Sequence, residues 1–318
     1  MERELALEFV RVTEAAALAS GRLIGRGDKN GADQLAVDAM RSVLKGLNIR
    51  GKVVIGEGEM DEAPMLYIGE EVGTGEGDAV DIAVDPLEGT NLVAKGMPGA
   101  IAVMAVAPRG HLLHAPDMYM EKVVAGPSGA HVIHLDASIE ENLRALANAS
   151  QRDVSELTVV LLDRERHEDK IRGIQEIGAR VKLISDGDVS PAIQACLPHS
   201  GVDMLVGSGG APEGVITAVA VKGLGGTMQG RLIPEDDVQL ERLRQMGMND
   251  SRHILELEDL VQGDDAFYVA TGITDGDLLK GVQYGKEYAT TYSVVIHSKT
   301  GAVRYITTQH RMGPMTAK

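Results

Sequence analysis

The sequence has few aromatic residues: among its 318 residues there is no Trp, and there are two Phe and seven Tyr. Apolar residues nevertheless make up 44% of the chain, so the core must be built from Val, Leu, Ile, Ala and the 14 Met. A chain of this length is sufficient for two ordinary domains or one large one. The 38 glycines predict many tight turns between strands and helices.

Cysteine and positive charge are also scarce. The single cysteine, Cys196, excludes an internal disulfide, and its apolar helical surroundings, AIQACLPH, predict a small buried thiol. The net charge of −16 argues against a nucleic-acid partner, because such a partner requires a basic surface. It does not exclude a phosphorylated small molecule, since bound metal ions reverse the local sign of the charge.

The chain lacks a long uncharged apolar segment. None approaches the roughly 20 apolar residues that span a bilayer. The first residues, MERELALEFVRV, mix charged and apolar residues and do not contain the apolar region of a secretion signal. We therefore predict a soluble, cytoplasmic protein without a membrane partner.

The spacing of apolar residues predicts alternating helices and strands, and therefore a layered α/β fold. In the first half it predicts a helix over residues 2–24, a second helix from Asp33, and a short strand over residues 53–55. A further strand is predicted in AVDIAVDPLEGT, ending in a tight turn. GAIAVMAVAPRGHLLHAP predicts a β-hairpin about Pro108, Arg109 and Gly110.

After about residue 150 the sequence pattern changes to predicted strands alternating with helices. We therefore predict a boundary there between two domains, 1–150 and 151–318. LTVVLLDRERHEDKIRGIQEIGARVKLISDGDV then predicts strand, helix and strand. VDMLVGSGGAPEGVITAVAVKGLGG predicts a strand, a glycine loop and a helix, and TTYSVVIHSKTGAVRYITTQH predicts a final hairpin.

Acidic residues follow several predicted strands. Glu57 follows VVIG, Asp85 and Glu88 follow DIAV, and Glu213 follows DMLVGSGGAP, while Asp33 lies near the start of a helix. In α/β folds, ligands gather beyond the carboxyl ends of the strands. Carboxylates brought together repel each other and need a cation, and oxygen ligands favour Mg²⁺ or Mn²⁺. The sequence therefore predicts a site for divalent metal ions.

The segment DPLEGT has the residue types that such a site needs. Pro86 biases Asp85 toward an extended conformation, and the turn carries Glu88 toward the same point. Gly89 permits a close approach or a positive φ, and Thr90 offers a hydroxyl and is suited to begin a helix. A solvated turn is the alternative for each acid alone, whereas the whole segment after an apolar strand favours a metal-binding loop.

Two arginines follow the apolar segment TVVLL. In an extended segment Arg164 and Arg166 point to the same side, and guanidinium groups suit phosphate oxygens. A charged surface turn is the alternative. Tyr119 and the aspartates of SDGDV, Asp186 and Asp188, are candidates for sugar contacts, with a structural tyrosine and an Asx turn as alternatives. GSGGAPEG opens a helix, where backbone N–H groups can hold an anion, but it lacks the spacing of a dinucleotide fingerprint.

At these residues the sequence resembles a known family. DPLEGT is close to the D-P-[LI]-[DE]-G-[ST] signature of the inositol monophosphatase and fructose-1,6-bisphosphatase superfamily, whose members are metal-dependent sugar or polyol phosphatases. The finer resemblance, over most of the chain, is to the class II, bacterial-type fructose-1,6-bisphosphatases. It rests on GRGDKNGAD, VVIGEGEMDEAPMLYIGEEVG, DIAVDPLEGTNLVAKG, APDMYMEKV, LDRERH, SDGDV and GSGGAPEGV. Gly21 and Leu23 stand where bulkier or aromatic residues are expected.

The resemblance implies a layered α-β-α-β-α sugar-phosphatase fold. The implied reaction is hydrolysis of the 1-phosphate of fructose 1,6-bisphosphate to fructose 6-phosphate and phosphate in gluconeogenesis, by a homo-oligomer, dimer or tetramer. The N-terminal domain would carry most of the metal ligands, and the C-terminal domain the sugar and 6-phosphate contacts.

The resemblance also implies site residues. The ligands of Mn²⁺ or Mg²⁺ would be Asp33, Glu57, Asp85, Glu88 and Glu213. Thr90 would orient the attacking water, with Asp85 and Glu88 as the other catalytic residues. The implied substrate contacts are Glu88, Gly89, Thr90, Tyr119, Arg164, Glu165, Arg166, Asp186, Gly187, Asp188 and Gly210. Lys29 and Asp61 are second-tier candidates by their place in the sequence.

Two other functions stay open at this point. One is a broader phosphatase that also takes sedoheptulose 1,7-bisphosphate, or an inositol-phosphate phosphatase. Two arginines favour a bisphosphate but do not measure the length of the sugar. The other is a non-catalytic sensor of a metal or a sugar phosphate, which could dispense with Thr90 and with some of the five acids.

Overall fold

The computed structural model describes residues 5–58, 65–245, 250 and 252–312. The chain forms two compact units: the first comprises Met1–Gly110, Asp265–His297 and Ala302–Lys318, and the second comprises His111–Asp264 and Ser298–Gly301. This division differs from the predicted boundary near residue 150. The strands after residue 264 return to the sheet of the first unit, and local sequence texture does not signal such a long-range return.

Helices and strands alternate along the described part of the chain. The α-helices are α1 (Leu5–Ser20), α2 (Lys29–Leu44), α3 (Thr90–Lys95), α4 (Ile139–Ser150), α5 (Glu168–Glu176), α6 (Val189–Cys196), α7 (Ala211–Gly223), α8 (Asp237–Gln245) and α9 (Leu257–Leu260). The strands are β1 (Ile49–Ile55), β2 (Glu71–Val72), β3 (Asp78–Glu88), β4 (Ile101–Pro108), β5 (Tyr119–Ala125), β6 (Thr158–Leu162), β7 (Arg180–Ile184), β8 (Met204–Gly210), β9 (Thr227–Ile233), β10 (Leu255–Glu256), β11 (Phe267–Gly272), β12 (Gln283–Tyr284), β13 (Tyr288–His297) and β14 (Ala302–Arg311).

The first unit contains a mixed sheet in the order β12-β13-β11-β4-β3-β1-β2, with β14 also paired to β13. The β1–β3 pair is parallel, and β4 runs antiparallel to both β3 and β11. Alternate residues of β3, Val80, Ile82 and Val84, belong to the same apolar core as Phe9 of α1 and Met40 of α2. This period of two is the one expected when helices cover one face of a sheet, and it leaves Asp81 and Asp85 on the other face.

The second unit contains a mixed sheet in the order β10-β9-β5-β8-β6-β7. Helices α4 and α5 pack on one face of β5, and α6 and α7 also contact this strand. Val123 and Ala125 of β5 share a core with Leu143 of α4 and Ile174 of α5. The neighbouring positions in β5 point the other way, toward α7, where a Cβ on Gly214 would lie 2.7 Å from the Met120 sulfur. Helices packed on the sheets of both units confirm the α/β fold class.

Most of the predicted elements are confirmed, but two are wrong. The strand–helix–strand segment is β6, α5 and β7, and the final hairpin is β13 and β14. The hairpin about Pro108 does not form: β4 ends there, and its partners are β3 and β11. The apolar composition of HLLHAP favours a strand, but Leu112 lies outside the named strands and forms an isolated bridge to Val261. The predicted glycine loop belongs instead to the end of β8.

The small residue Gly21 is explained by an aromatic residue from elsewhere in the chain. The Tyr284 hydroxyl of β12 donates to the carbonyl of Leu18 at 2.8 Å. A Cβ on Gly21 would lie 2.7 Å from that hydroxyl. The aromatic group expected at this place is therefore supplied by a strand more than 200 residues later in the sequence.

Cys196 is a buried thiol, as predicted. It lies at the end of α6, its Sγ donates to the carbonyl of Ala125 at 3.4 Å, and burial raises its pKa to about 12. In the described part of the chain, no helix has the combination of length and apolar character that a membrane crossing requires.

Candidate active site

Asp85 and Glu88 lie on the same face of β3 because the strand contains a bulge. Asp85 lies opposite Val103 of β4 and Glu88 opposite Ile101, so three steps along β3 match two steps along β4. In a regular strand, residues three apart point to opposite faces, and one extra residue brings them back to the same face. Their carboxylates each offer an oxygen within 4.8 Å of the other.

The backbone after the bulge places Thr90 beside this pair. Asp85 Oδ1 accepts the N–H of Leu87 at 3.0 Å, and β3 continues to Glu88 rather than ending in a turn at Asp85. Gly89 has φ +91°, and a Cβ there would lie 2.8 Å from Leu92 Cδ1. Thr90 is the first residue of α3. The predictions of positive φ at Gly89 and of a helix beginning at Thr90 are confirmed.

Glu88 is a buried acidic residue. Its side chain is only 8% exposed, and the nearby Tyr268 of β11 is fully buried. Burial, together with the charge of Glu88, raises the pKa of Tyr268 well above its usual value. Charges are weakly screened where groups are buried, so the repulsion between the Asp85 and Glu88 carboxylates favours a bound cation.

Asp33 and Glu57 belong to the same unit but not to the close pair. Asp33 is the fifth residue of α2. Its pKa is raised, because the effect of burial is larger than the opposing effect of the Lys29 charge. Glu57 follows β1, and its N–H donates to the carbonyl of Leu66 at 3.0 Å. Within the described residues, neither belongs to a group with Asp85 and Glu88 in which one carboxylate oxygen from each residue lies within 4.8 Å of the others. Asp61 lies outside the described residues.

Glu213 presents a buried carboxylate oxygen in the first turn of α7. Among the described residues, its Oε2 has no hydrogen-bond partner, and a Cβ on Gly210 would collide with that carboxylate. The pKa of Glu213 is raised, mainly by burial. The charge of Lys122 opposes this shift, and the charge of Asp188 adds to it. Burying a carboxylate oxygen without a hydrogen-bond donor costs free energy of folding. A bound hard cation, for which the oxygen would be a ligand, would offset that cost.

Lys122 is a central residue of this region that the sequence analysis missed. It is 2% exposed, its Nζ lies 2.6 Å from Asp188 Oδ2, and it donates to the carbonyl of Gly210 at 3.1 Å. A Cβ on Gly209 would collide with the Asp188 carboxylate. Its place in MYMEKVVA, two residues after the buried Met120, could have indicated that Lys122 points to the same buried face of a strand. A lysine is tolerated in such a place only when it is paired with an opposite charge.

Arg166 lies against Tyr119 and Ser208. Its Nε donates to Ser208 Oγ at 2.9 Å and its Nη2 to the Ser208 carbonyl at 2.8 Å. Its guanidinium carbon lies 4.9 Å from the centre of the Tyr119 ring, within the range of a cation–π contact. The second unit therefore brings together two of the predicted substrate contacts, Tyr119 and Arg166.

Arg164 has a different environment. It is the last extended residue before a short 3₁₀ helix, Glu165–His167, so the prediction that both arginines lie in one extended segment is wrong. Arg164 Nη2 lies 4.0 Å from Asp186 Oδ1. Glu165 and Arg166, both in the 3₁₀ helix, are exposed. Gly187, which lies between Asp186 and Asp188, has a φ of +73°.

A family model and curated relatives both match almost the whole chain. The family model is described as bacterial fructose-1,6-bisphosphatase, glpX-encoded, and it matches residues 3–310. The chain is 49% identical to fructose-1,6-bisphosphatase 1 class 2 of Escherichia coli strain K12 over 323 aligned positions, which cover 98% of this chain and 96% of the relative. The class 2 fructose-1,6-bisphosphatases of Escherichia coli O6:H1 and Shigella flexneri match with the same identity and coverage.

Proposed function

Because the chain belongs to the family of bacterial, class II fructose-1,6-bisphosphatases, we propose that its carboxylates bind the 1-phosphate end of fructose 1,6-bisphosphate through metal ions. Arg164 and Arg166 are proposed to bind the other end. The enzyme hydrolyses the 1-phosphate to give fructose 6-phosphate and phosphate, a reaction of gluconeogenesis. The observation that carries the residue assignment is the bulge in β3, which brings Asp85 and Glu88 to one face directly before Thr90.

The proposed ligands of the metal ions are Asp33, Glu57, Asp85, Glu88 and Glu213. Two features support this set. The Asp85 and Glu88 carboxylates lie close together, and the buried Oε2 of Glu213 has no hydrogen-bond partner in the part of the chain that the structure describes. All the donors are carboxylate oxygens, which suit Mn²⁺ or Mg²⁺. Such ions, when bound, would lower the pKa of a water molecule and neutralise phosphoryl oxygens.

Thr90 is the proposed water-positioning residue. Its place at the start of α3 is fixed by Gly89, whose left-handed conformation turns the chain immediately after Glu88. A hydroxyl held there accepts or donates one hydrogen bond in a defined direction, and so it aims the attacking oxygen. Glu88, Gly89 and Thr90 are also proposed to contact the 1-phosphate end of the substrate.

The remaining substrate contacts are proposed on the second unit. Arg164 and Arg166 would bind the 6-phosphate, and Tyr119 would pack beside the sugar. Asp186 and Asp188 would accept hydrogen bonds from sugar hydroxyls, with Glu165, Gly187 and Gly210 lining the same segments. Binding energy from this end then holds the 1-phosphate in position for attack.

We further propose that the protein is a cytoplasmic homo-oligomer, a dimer or tetramer, whose partner is a small sugar bisphosphate rather than a nucleic acid. The acidic composition, with a net charge of −16, supports the last point. Light scattering coupled to size-exclusion chromatography measures the subunit number, and a monomer would contradict the proposal.

A substrate panel tests the function. Phosphate release is measured with fructose 1,6-bisphosphate, sedoheptulose 1,7-bisphosphate and inositol 1-phosphate, each with Mn²⁺, with Mg²⁺ and with EDTA. We expect the highest kcat/KM with fructose 1,6-bisphosphate and no release in EDTA. Comparable rates on both bisphosphates would identify a dual enzyme, and faster release from inositol 1-phosphate would overturn the assignment. The Asp85→Asn variant is the control for contaminating phosphatase.

A further inference from the structure

The guanidinium group of Arg166 is held along one edge. Its Nε and Nη2 donate to the hydroxyl and the carbonyl of the same residue, Ser208, at 2.9 and 2.8 Å. A guanidinium has five N–H donors, and these two bonds use the side edge, which contains Nε. The end edge, which carries Nη1 and the second N–H of Nη2, therefore faces away from Ser208 with a fixed orientation.

Ser208 is itself fixed by a buried histidine. The N–H of Ser208 donates to His167 Nε2 at 2.9 Å, so Nε2 is an acceptor and carries no proton. The ring proton is then on Nδ1, which donates to the carbonyl of Leu162 at 2.8 Å. His167 is 1% exposed, and burial lowers its pKa, which keeps the ring in this neutral form.

The backbone of β8 is adapted to this histidine. Gly207 has φ +141°, and a Cβ at that position would lie 3.0 Å from His167 Cε1. A larger residue would push the ring away from the strand, and the hydrogen bond to Ser208 would lengthen. The contacts thus form a chain from the carbonyl of Leu162 through His167 and Ser208 to Arg166.

Among the residues that the structure describes, no pair of hydrogen bonds like that of Arg166 holds Arg164. Its Nη1 donates to the neighbouring Asp163 carbonyl at 3.0 Å, and its Nη2 lies 4.0 Å from Asp186, beyond hydrogen-bond distance. The two arginines of the motif are therefore not equivalent. The guanidinium of Arg166 is held by two hydrogen bonds to Ser208, and that of Arg164 donates to the carbonyl of the preceding residue.

We propose that Ser208 and His167 are positioning residues that orient Arg166 for a phosphate group of the substrate, so that its end edge offers two parallel N–H groups to two phosphate oxygens. This inference depends on the proposed function, in which Arg166 binds the 6-phosphate. A planar guanidinium matches a phosphate in a bidentate way only when its plane is correctly turned, and holding it beforehand lowers the entropy lost on binding. This chain of hydrogen bonds from His167 through Ser208 to Arg166 thereby favours sugars that carry a phosphate at both ends.

The test compares two substrates that differ by the 6-phosphate. Steady-state kinetics of Ser208→Ala are measured with fructose 1,6-bisphosphate and with fructose 1-phosphate, with Arg166→Ala as the reference. Losing the hydroxyl removes one hydrogen bond to a charged group, so we expect KM for the bisphosphate to rise roughly tenfold with little change in kcat. The KM for fructose 1-phosphate should be unchanged. Ser150→Ala, which removes a hydroxyl bonded within α4, is the matched control.

A double variant distinguishes orientation of Arg166 from a general structural role. If Ser208 acts through Arg166, adding Ser208→Ala to Arg166→Ala has no further effect on KM. Inhibition by the product fructose 6-phosphate gives a second readout, because its inhibition constant should rise in Ser208→Ala by the same factor as KM. His167→Phe, which removes the acceptor for the Ser208 N–H, should act in the same direction if thermal unfolding shows that it is folded.

Two results would overturn the inference in different ways. Equal changes in KM for both substrates, or additive effects in the double variant, would mean that Ser208 does not act through Arg166, while the proposed function stands. An unchanged KM for the bisphosphate in Arg166→Ala would mean that Arg166 does not bind the 6-phosphate. That second result removes the basis of the inference and also corrects the proposed function.

Discussion

At the scale of single residues, Thr90 tests the proposed mechanism most directly. Replacing it with alanine should lower kcat by about 10²-fold or more, the size of effect seen when one positioning or stabilising group is lost. Thr90→Ser keeps a hydroxyl and should retain most of the activity. Initial rates of phosphate release at saturating substrate measure both variants.

Metal affinity distinguishes this role from a general disturbance of the site. Thr90 adjoins Glu88 and Gly89 but supplies no carboxylate, so the Mn²⁺ concentration that gives half-maximal activity should not change in Thr90→Ala. Near-normal turnover in that variant would mean that another group orients the water.

Lys122 gives a prediction about stability at the same scale. Lys122→Met leaves the Asp188 carboxylate, 2.6 Å away in the wild type, without its cation in a buried place. Removing one partner of a buried pair typically costs about 3–5 kcal/mol, so the free energy of unfolding should fall by about 3 kcal/mol in urea titrations.

The double variant Lys122→Met/Asp188→Asn checks the cause of that loss. Because it removes the uncompensated charge as well, it should recover part of the stability. A double variant no more stable than Lys122→Met alone would show that packing of the lysine stem, and not charge, explains the loss.

These residues also indicate what a sequence can predict about a site. Asp85, Glu88 and Thr90 are neighbours along the chain, so their spacing after an apolar strand was informative. Lys122 bonds to a carbonyl 88 residues away, and the His167–Ser208 bond spans 41 residues. No local pattern in the sequence connects such partners. The hydrogen bonds from His167 through Ser208 to Arg166 depend on β8 lying beside the segment that contains His167.

At the scale of elements, the bulge in β3 and the left-handed residue after it shape the proposed site. Gly89→Ala should lower the free energy of unfolding by about 1–2 kcal/mol, because an alanine at φ +91° is strained. Its Cβ would also press on Leu92 Cδ1 at 2.8 Å, so α3 and Thr90 should shift and kcat should fall.

Gly178 offers a matched control for this prediction. It has the same φ of +91° in the turn after α5, but a Cβ there meets no atom within 4 Å. Gly178→Ala should therefore cost a similar free energy of unfolding and leave kcat unchanged. Equal losses of kcat in both variants would mean that strain alone, rather than displacement of Thr90, lowers the activity.

The elements differ in how well the sequence predicted them, and the reason is the range of the interactions. The hairpin of β13 and β14 pairs residues close along the chain, and apolar alternation around a Gly-containing turn was sufficient. The bulge was not predicted, since it is defined by the register between β3 and β4. The composition of HLLHAP predicts a strand wrongly, because composition does not specify whether a pairing partner is present.

At the scale of the whole molecule, the sequence predicted the class of fold better than its division. Regular alternation of strands and helices indicated an α/β protein, and that is confirmed. The return of β11–β14 to the first sheet depends on pairing between β4 and β11, some 160 residues apart, which a boundary placed by local texture does not detect.

The charge of the whole chain provides the last prediction. With 47 acidic and 31 basic residues, the folded protein carries repulsion that any salt relieves, and carboxylates held close together add to it. A ligand that binds only the folded state stabilises it by about 2.7 kcal/mol at 100 times its Kd. Mn²⁺ should therefore raise the unfolding temperature well beyond the effect of NaCl at equal ionic strength, and EDTA should reverse the gain.

Two charge-removing variants separate a specific site from general screening. Asp85→Asn removes one proposed ligand and should abolish most of the Mn²⁺-dependent rise in the unfolding temperature. Asp169→Asn removes the same charge from a side chain that is 96% exposed on α5, and it should keep the full rise. Because both variants have the same net charge, an equal loss of the Mn²⁺ effect would mean that the ion acts on the overall field, and the proposed ligand set would be wrong.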